Sequence, residues 1–445
     1  MNDSFDPRSY GAVADGHSKD TAAVQAAIDA AAAQGGTVRL AGGTFVCGTL
    51  YLKSNVALEI TNSATLLASP DIADYGTDTH HNRYRNEPEL DRCFLFAQDA
   101  ENVTICGSGV IDGNAAAFPN AGSIYRPMLL RVLRCRNVRV QNLRLLNAAA
   151  WATAFLDSDF LWATDLHIEN HRNYNGDGLD FDGCRHVWVR GCYIDGTDDN
   201  LCLQSSGLPV QDVHISDCAF TSVCAGIRIG LKSIGEISGV VISNCTMRNI
   251  WREGIKLECT EGGSITDILV ENVTMHNVRR PIFAILNNRY RPDDLGSSVE
   301  LDHIPPIGTM ARLRFVGITA VDDEEMTHAQ RRFDNDIMGE PRFGGCRLDA
   351  NAAHPMQDVT IRDFWYTAIG GVCLADLPAA PYPEVPDRLQ APTAPGSENY
   401  YPDWSRTTHL DARNVQGLTL ENLHFNTLHP DERPKMLTEG PTVML

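Results

Sequence analysis

A short apolar strand pattern recurs along the chain, and this repeat limits the possible folds more than any other feature. The pattern is V-x-I/V-x-x-C/L/F. Its first positions are Val138, Val187, Val213, Val240, Ile268, Val359 and Leu418. Its sixth positions are Leu143, Cys192, Cys218, Cys245, Val273, Phe364 and Leu423. Successive starts from Val187 to Ile268 are 26, 27 and 28 residues apart, a period typical of solenoid coils that stack equivalent strands.

A second strand repeats in the same phase. Its copies are Leu179-Asp180-Phe181, Leu201-Cys202-Leu203, Ile227-Arg228-Ile229, Ile255-Lys256-Leu257 and Phe283-Ala284-Ile285. Because side chains alternate along a strand, we expect the flanking residues to point inward and the middle residue outward. A β-sandwich would also alternate, but it would not keep two strands in phase over four coils. The sequence therefore predicts an all-β, single-stranded right-handed parallel β-helix of about ten coils, forming one domain over residues 1–445.

One helix is predicted, close to the N-terminus. The segment DTAAVQAAIDAAAAQGG begins with Asp20 or Thr21 as a cap, places Val24 and Ile28 on one face, and stops at two glycines. We expect this helix to cap the solenoid within residues of about 1–40.

Four stretches interrupt the repeat. They are residues 74–92, 290–311, 322–345 and the proline-rich 377–404, with approximate bounds. Long insertions in a solenoid usually project from one face and often wall a binding site.

Composition narrows the classes of partner. Lys and Arg number 37 against 57 Asp and Glu, a formal net charge of −20, which disfavours nucleic acid and anionic membranes. No apolar run reaches the ~20 residues that span a bilayer, and the start lacks an export signal, so we expect a cytoplasmic protein.

The 13 cysteines are read as reduced, apolar core residues, and neither a cofactor nor a metal is expected. The oligomeric state is left open.

Three carboxylates form the candidate catalytic group. Asp177 precedes Asp198 by 21 residues and Asp199 by 22, about one coil, so the three should share one patch. Clustered carboxylates repel, which raises the pKa of at least one; glycosidic cleavage needs such a division into an acid and a base. Aspartates followed by Gly or Asn are also common in turns, and the same cluster could bind calcium.

The residues Asn175-Gly176-Asp177-Gly178 and Asp198-Asp199 resemble the polygalacturonase family, glycoside hydrolase family 28, whose signature is N-x-D-G followed by D-D one coil later. The resemblance covers at least residues 8–290, including the opening SYGAVADGHSKDTAAVQAAIDAA. It implies that Asp198 is the general acid and that Asp177 and Asp199 activate water, with inversion at the anomeric carbon.

Two family motifs are absent. Ala225 stands where polygalacturonases carry the histidine of G-H-G, and their R-I-K reads Lys256-Leu257-Glu258 here. A standard polygalacturonase is therefore not expected, although rhamnogalacturonan-cleaving relatives also lack the histidine.

The candidate substrate-binding residues follow from the same register. Arg228 and Lys256 are outward residues 28 apart and could bind a uronate carboxylate, or could instead neutralise the acidic cluster or pair with Glu258. Asn175 belongs to the family signature, and Gln204 lies on the Asp coil. Arg280 is one of four arginines in VRRPIFAILNNRYRPDDL.

The predicted function is hydrolysis of a glycosidic bond in a pectin-type or other uronate-containing oligosaccharide or polysaccharide, from a chain end. Two alternatives remain. A lyase of the same fold would use calcium and a basic Arg or Lys, and a carbohydrate-binding β-helix would use the loops for adhesion without turnover.

Overall fold

The computed structural model describes residues 3–79, 88–118, 126–288, 305–323, 344–377, 405–440 and 442–444. The internal contacts of the chain divide it into two units. The first unit holds the described residues up to 201 together with Val210–Cys218, and the second holds Cys202–Pro209 and the described residues from 219 onward. The expectation of a single domain stays a prediction.

Parallel strands dominate both units. Within the described ranges there is one α-helix, α1, which spans Thr21–Ala32, and short 3-10 helices span Pro7–Tyr10, Ile72–Asp74, Pro88–Asp91, Ala115–Ala117 and Leu374–Asp376. The strands are, in chain order, β1 Asp3–Phe5, β2 Asp15–Lys19, β3 Gly36–Leu40, β4 Gly43–Cys47, β5 Leu50–Leu52, β6 Val56–Ile60, β7 Ala64–Ala68, β8 Cys93–Gln98, β9 Glu101–Gly107, β10 Val110–Asp112, β11 Met128–Leu133, β12 Arg136–Gln141, β13 Arg144–Leu146, β14 Thr153–Leu156, β15 Asp159–Thr164, β16 His167–Asn170, β17 Leu179–Asp182, β18 Arg185–Arg190, β19 Tyr193–Gly196, β20 Leu201–Ser205, β21 Val210–Ser216, β22 Ala219–Ser222, β23 Ile227–Ser233, β24 Glu236–Ser243, β25 Thr246–Cys259, β26 Ser264–Leu286, β27 Thr309–Val321, β28 Cys346–Ala350, β29 Met356–Gly370, β30 Leu410–Arg413, β31 Val415–Gln416, β32 Leu418–His429, β33 Met436–Glu439 and β34 Thr442–Met444.

In the first unit, equivalent strands stack in register. Strands β9, β12, β15, β18 and β21 pair in parallel, and one inward column runs through Val103, Val138, Leu161, Val187 and Val213. All five side chains are buried. The predicted repeat is confirmed here, and the 49-residue interval from Val138 to Val187 is two coils, since Leu161 occupies the coil between them.

In the second unit the same pattern continues with Val240, Ile268, Leu313 and Val359 as register partners. The fold class, a parallel β-helix with an N-terminal helix, is confirmed.

The phase of the fifth copy of the second repeat was wrong by one residue: Lys256 pairs with Phe283, not with Ala284. A register shift between Ile250 and Glu253 displaces the pairing, and such a slip exchanges the two faces of a strand.

The helix α1 covers the first coils as predicted. It buries Ala23, Val24, Ala27, Ile28 and Ala31. The side chain of Asp20, expected as its cap, instead accepts hydrogen bonds from the main-chain N–H groups of Val13 and Ala14, at 2.7 and 3.0 Å.

One stack of strands in the first unit is buried on both faces. Strands β8, β11, β14 and β17 pair in order, and nearly all their residues are buried. Part of the predicted insertion 74–92 lies on this stack, because Arg131 of β11 donates to the carbonyl oxygens of Thr79 and Leu90 at 2.5 and 2.8 Å. Most of the other three insertions lies outside the described residues.

All 13 cysteines fall within the described residues and are free thiols. Eleven are buried, Cys106 is half-buried and Cys373 is exposed. The expectation of core cysteines is confirmed for the eleven buried residues and is wrong for Cys373. Over the described ranges, no helix has the length and apolar character needed to cross a membrane.

Candidate active site

The three candidate catalytic aspartates lie together in the first unit. A carboxylate oxygen of Asp199 lies within 4.8 Å of one from Asp177 and of one from Asp198. Asp177 and Asp199 are 5% and 1% exposed, whereas Asp198 is half-buried. The prediction that one coil of separation brings these carboxylates into one patch is confirmed.

Main-chain contacts between successive turns fix this arrangement. The N–H of Gly178 donates to the carbonyl oxygen of Asp199 at 3.2 Å, and the N–H of Leu179 donates to that of Asn200 at 2.9 Å. The backbones approach so closely at Gly176 that an added Cβ would stand 2.4 Å from the carbonyl oxygen of Asn170. Glycine is therefore required beside Asp177.

The charges of the cluster repel one another. Asp177 and Asp199 are almost removed from water, which strengthens their repulsion. A proton held by one carboxyl group would reduce this repulsion. The main-chain N–H of Asp199 donates to the Asp198 Oδ1 at 2.9 Å, which orients the Asp198 carboxyl group.

Asn175, the first residue of the N-x-D-G motif, lies in the turn before Asp177. It adopts a left-handed backbone conformation with φ 55°, which asparagine tolerates better than most residues. Its Oδ1 accepts a hydrogen bond of 2.8 Å from the buried Arg126 guanidinium. This bond fixes the orientation of its amide.

Arg126 and Thr197 were not found from the sequence. Arg126 is 49 residues upstream of Asn175 and lies outside both repeats. Thr197 precedes the Asp pair, but nothing in its spacing distinguishes it from an ordinary turn residue.

The remaining candidates, Gln204, Arg228, Lys256 and Arg280, belong to the second unit. Arg228 of β23 and Lys256 of β25 are register partners, so the predicted cationic ladder is present. The Arg228 Nε lies 2.7 Å from the Glu258 Oε2, and the Lys256 Nζ lies 3.7 Å from the same oxygen. The pairing with Glu258, which the sequence left open, is therefore observed.

Glu253 organises the other side of this ladder. It is fully buried, and its carboxylate lies 2.9 Å from Arg280, 3.4 Å from Lys256 and 3.7 Å from Arg252. Burial alone would raise the pKa of Glu253, but the charges of Lys256, Arg252 and Arg280 outweigh it and hold the pKa well below its usual value. The four cations and two glutamates form what we name the second-unit charge network: Arg228, Arg252, Glu253, Lys256, Glu258 and Arg280.

Gln204 lies on β20 and is 5% exposed. Ala225 is fully buried, at the position where the family histidine was expected. The arginines at 289 and 291 lie outside the described residues.

Trp151 and Trp162 are both packed against other protein groups. Trp151 belongs to a hydrophobic cluster with Phe96, Met128 and Leu156. Trp162 stacks between Arg139, at 3.7 Å, and Trp188, at 5.0 Å, so protein groups cover both faces of its ring.

A hard cation would find oxygen ligands at the same aspartates. Among the described residues, Asp199 shares one possible cation site with Asp177 and a second with Asp198, and Ca²⁺ takes carboxylate ligands of this kind.

Comparison with known proteins agrees with the fold and the motif. The family model for glycosyl hydrolases family 28 matches residues 44–300, more than half of the chain. The protein named "Probable polygalacturonase" from Vitis vinifera is 26% identical over 52% of this chain and 52% of its own length. The exo-poly-alpha-D-galacturonosidase of Dickeya chrysanthemi is 25% identical over 43% of this chain and 40% of its own length.

The matches thus span about half, or less, of the length of these curated relatives. Among solved structures, the exopolygalacturonase from Thermotoga maritima superposes with a TM-score of 0.69 and 19% identity, covering 96% of this chain and 92% of the other. That likeness concerns the fold. The chain belongs to glycosyl hydrolase family 28.

Proposed function

We propose that this protein is a glycoside hydrolase that removes sugars from one end of a pectin-type or other uronate-containing oligosaccharide, with inversion. The observation that carries the proposal is the position of Asp199, whose carboxylate lies within 4.8 Å of those of both Asp177 and Asp198. Three carboxylates at this spacing can divide into an acid for the leaving oxygen and bases for water.

Asp198 is proposed as the general acid. It is the most exposed of the three, so it is the one best able to reach the leaving oxygen of a sugar. Its Oδ1 accepts the N–H of Asp199, so Oδ2 is the oxygen that we propose as the carrier of the proton. Asp177 and Asp199 act together as the base.

The short separation between the carboxylate oxygens limits where the attacking water can lie. In most inverting enzymes the acid and base are ~6.5–9.5 Å apart, and the water lies between the base and the sugar. The nearest oxygens here are closer than that, so we propose that Asp177 and Asp199 hold the water jointly on one side of the anomeric carbon. A first product of inverted configuration agrees with this position of the water, and a retained one contradicts it.

Asn175, Gln204, Arg228, Lys256 and Arg280 are proposed as substrate contacts. Sugar hydroxyls can bind the amides, while the cations suit a uronate carboxylate. End-directed action is supported by the name of the Dickeya chrysanthemi relative, an exo-poly-alpha-D-galacturonosidase.

The test is product analysis on a panel of pectin-derived oligosaccharides. We expect monosaccharide or disaccharide release from one end, and proton nuclear magnetic resonance should show the inverted anomer first. Asp198→Asn should abolish release. Retained turnover in that variant would refute the assigned acid, rapid loss of viscosity in a polymer would refute end-directed action, and a first product of retained configuration would refute inversion.

A further inference from the structure

The turn formed by residues 173–178 carries Asn175 and Asp177, and a buried arginine holds it. Arg126 is 1% exposed. Its Nη1 donates to the carbonyl oxygen of Tyr174 at 2.6 Å, and its Nη2 donates to the Oδ1 of Asn175 at 2.8 Å. Two neighbouring residues of the turn are thus bound by one guanidinium group.

Arginine suits this position for a geometric reason. The planar fork of its guanidinium reaches two acceptors at once, and the fork is rigid, so little side-chain entropy is lost for each bond. The Nη1 also lies 3.5 Å from the carbonyl oxygen of Ala149. Because the group is removed from water, its charge-assisted hydrogen bonds are stronger than they would be at the surface. A lysine ammonium carries the same charge but has no such fork.

The opposite side of the turn is held by Thr197, the residue before the Asp pair. The Thr197 Oγ1 accepts from the N–H of Gly176 at 3.0 Å and donates to the carbonyl oxygen of Asn173 at 2.6 Å. Its own N–H donates to the carbonyl oxygen of Gly176 at 3.2 Å. Thr197 therefore ties the turn bearing Asp177 to the turn bearing Asp198 and Asp199.

The beginning of the turn is fixed as well. The Asn173 Nδ2 donates to the carbonyl oxygens of Ala115, Phe118 and Ala149, at 3.2, 2.9 and 3.1 Å. With Asn173 and Thr197 holding residues 173 and 176, Arg126 constrains the two residues between these anchors. Loss of Arg126 would remove one donor from the carbonyl oxygen of Tyr174 and one from the Oδ1 of Asn175.

We infer that Arg126 is a positioning residue, which sets the place of Asn175 and, through the following two residues, of the Asp177 carboxylate relative to Asp199. The inference rests on the proposed function, because it assigns Asp177 a part in catalysis. A displacement of about 1 Å at a reacting group can cost on the order of 100-fold in rate, so a rigid support for this turn has a kinetic consequence.

The chain offers a matched control. Arg131 is also 1% exposed, lies in the same unit, and donates to two main-chain carbonyl oxygens, those of Thr79 and Leu90. Substitution of either arginine removes a buried guanidinium from comparable partners. Only Arg126 contacts the turn that bears Asn175.

The experiment compares Arg126→Ala, Arg126→Lys and Arg131→Ala in the full chain. We expect kcat to fall about 100-fold in both Arg126 variants, with KM changed less than about threefold. Guanidinium chloride at low millimolar concentration should restore part of the activity of Arg126→Ala. Arg131→Ala should lower the Tm to a similar extent and leave kcat within about threefold of the wild type.

A second measurement does not depend on turnover. Amide hydrogen exchange of the peptide that contains residues 173–178 should be at least about tenfold faster in Arg126→Ala, and unchanged in Arg131→Ala. Equal exchange and equal kcat losses in the two alanine variants would overturn the inference.

The two proposals fail in different ways. If Asp198→Asn abolishes turnover while Arg126→Lys retains it fully, the hydrolase stands and the positioning role falls. If the wild-type protein cleaves none of the oligosaccharides, the proposed function falls, and hydrogen exchange alone decides whether Arg126 holds the turn.

Discussion

The main-chain N–H of Asp199 donates a hydrogen bond of 2.9 Å to the Oδ1 of Asp198. The backbone of Asp199 thereby orients the carboxyl group of Asp198. The bond uses an acceptor oxygen, so it persists whether Oδ2 of Asp198 is protonated or not.

Asp198→Asn and Asp198→Ala should therefore differ in stability but not in activity. The asparagine keeps an oxygen for the Asp199 N–H, whereas alanine removes the acceptor, which costs about 1–3 kcal/mol if the N–H is left buried without a partner. We expect both variants to lack turnover and only the alanine variant to show a lowered Tm. Thermal unfolding together with a reducing-sugar assay tests this, and an equal Tm in the two variants would contradict the role of the hydrogen bond.

Hydrolysis by three carboxylates requires no metal ion. Treatment with excess EDTA followed by gel filtration should leave turnover unchanged, and no unsaturated product should absorb in the ultraviolet. Loss of activity that Ca²⁺ restores, together with an absorbing product, would favour the lyase alternative, in which Arg228 or Lys256 would act as the base.

The carboxylate of Glu253 is central to the second-unit charge network. Glu253→Gln would leave Lys256, Arg280 and Arg252 without their shared buried anion, and breaking a buried ion pair typically costs about 3–5 kcal/mol. Urea unfolding should show a loss of that size. As a control, Asp267→Asn removes the partner of Arg312 from an exposed pair and should cause no measurable change; similar losses in both variants would show that burial is not the cause.

Glu258 would compete with an anionic sugar for Arg228 and Lys256, the cations proposed to bind it. Its carboxylate oxygen lies 2.7 Å from Arg228 and 3.7 Å from Lys256, so a uronate carboxylate at this place would meet a like charge. Glu258→Gln should tighten inhibition by galacturonate roughly tenfold, about 1.4 kcal/mol, and leave inhibition by galactose unchanged. Glu261→Gln, which removes the buried partner of Lys232, is the control. An unchanged inhibition constant for galacturonate would argue against uronate binding at these cations.

A buried acid, Asp322, makes the stability of the second unit depend on pH. Burial raises the pKa of Asp322 to about 8, although the Tyr366 hydroxyl, 3.3 Å away, opposes this shift. The unfolded chain ionises Asp322 above pH ~4, while the folded chain keeps it neutral to about pH 8. The stability that the neutral group contributes is therefore complete below pH ~4 and is lost as the pH rises toward 8.

Asp322→Asn cannot ionise and should remove this slope. Relative to the wild type, its Tm should rise progressively between pH 5 and pH 8. Asp358→Asn, at an exposed position, should follow the wild type at every pH. A constant Tm difference between Asp322→Asn and the wild type across this range would contradict the assignment.

The sequence predicted the coil architecture because a solenoid repeats its packing at nearly constant spacing. The columns through Val187 and Val213, and through Val240 and Ile268, are the predicted ones. Leu161 and Leu313 were missed as coil starts because their third positions, Ala163 and Phe315, lack the branched aliphatic side chain that the predicted copies carry there. The slip at Phe283 could not be foreseen, since a register shift leaves no mark in the alternation of apolar residues.

The candidate site likewise contains some residues that the sequence could place and others that it could not. Asp177, Asp198 and Asp199 could be placed because one coil of sequence becomes one strand spacing in space. Arg126 could not, since its contact with Asn175 depends on where an irregular segment passes over the turn. The sequence also did not determine which glutamate pairs with Lys256. Glu253 and Glu258 both lie close to Lys256 in sequence, and these separations do not show toward which of them the long lysine side chain points.

The buried free thiols have a consequence for experiments on folding. Cys192 and Cys218 lie on successive coils of the first unit, and Cys245 and Cys259 lie further along in the second. A thiol enclosed in a coil reacts with an alkylating reagent only when that coil opens. The rate at which each cysteine is labelled under native conditions therefore reports how often its own coil opens. Mass spectrometry of the labelled peptides would give the order in which the coils of the solenoid unfold.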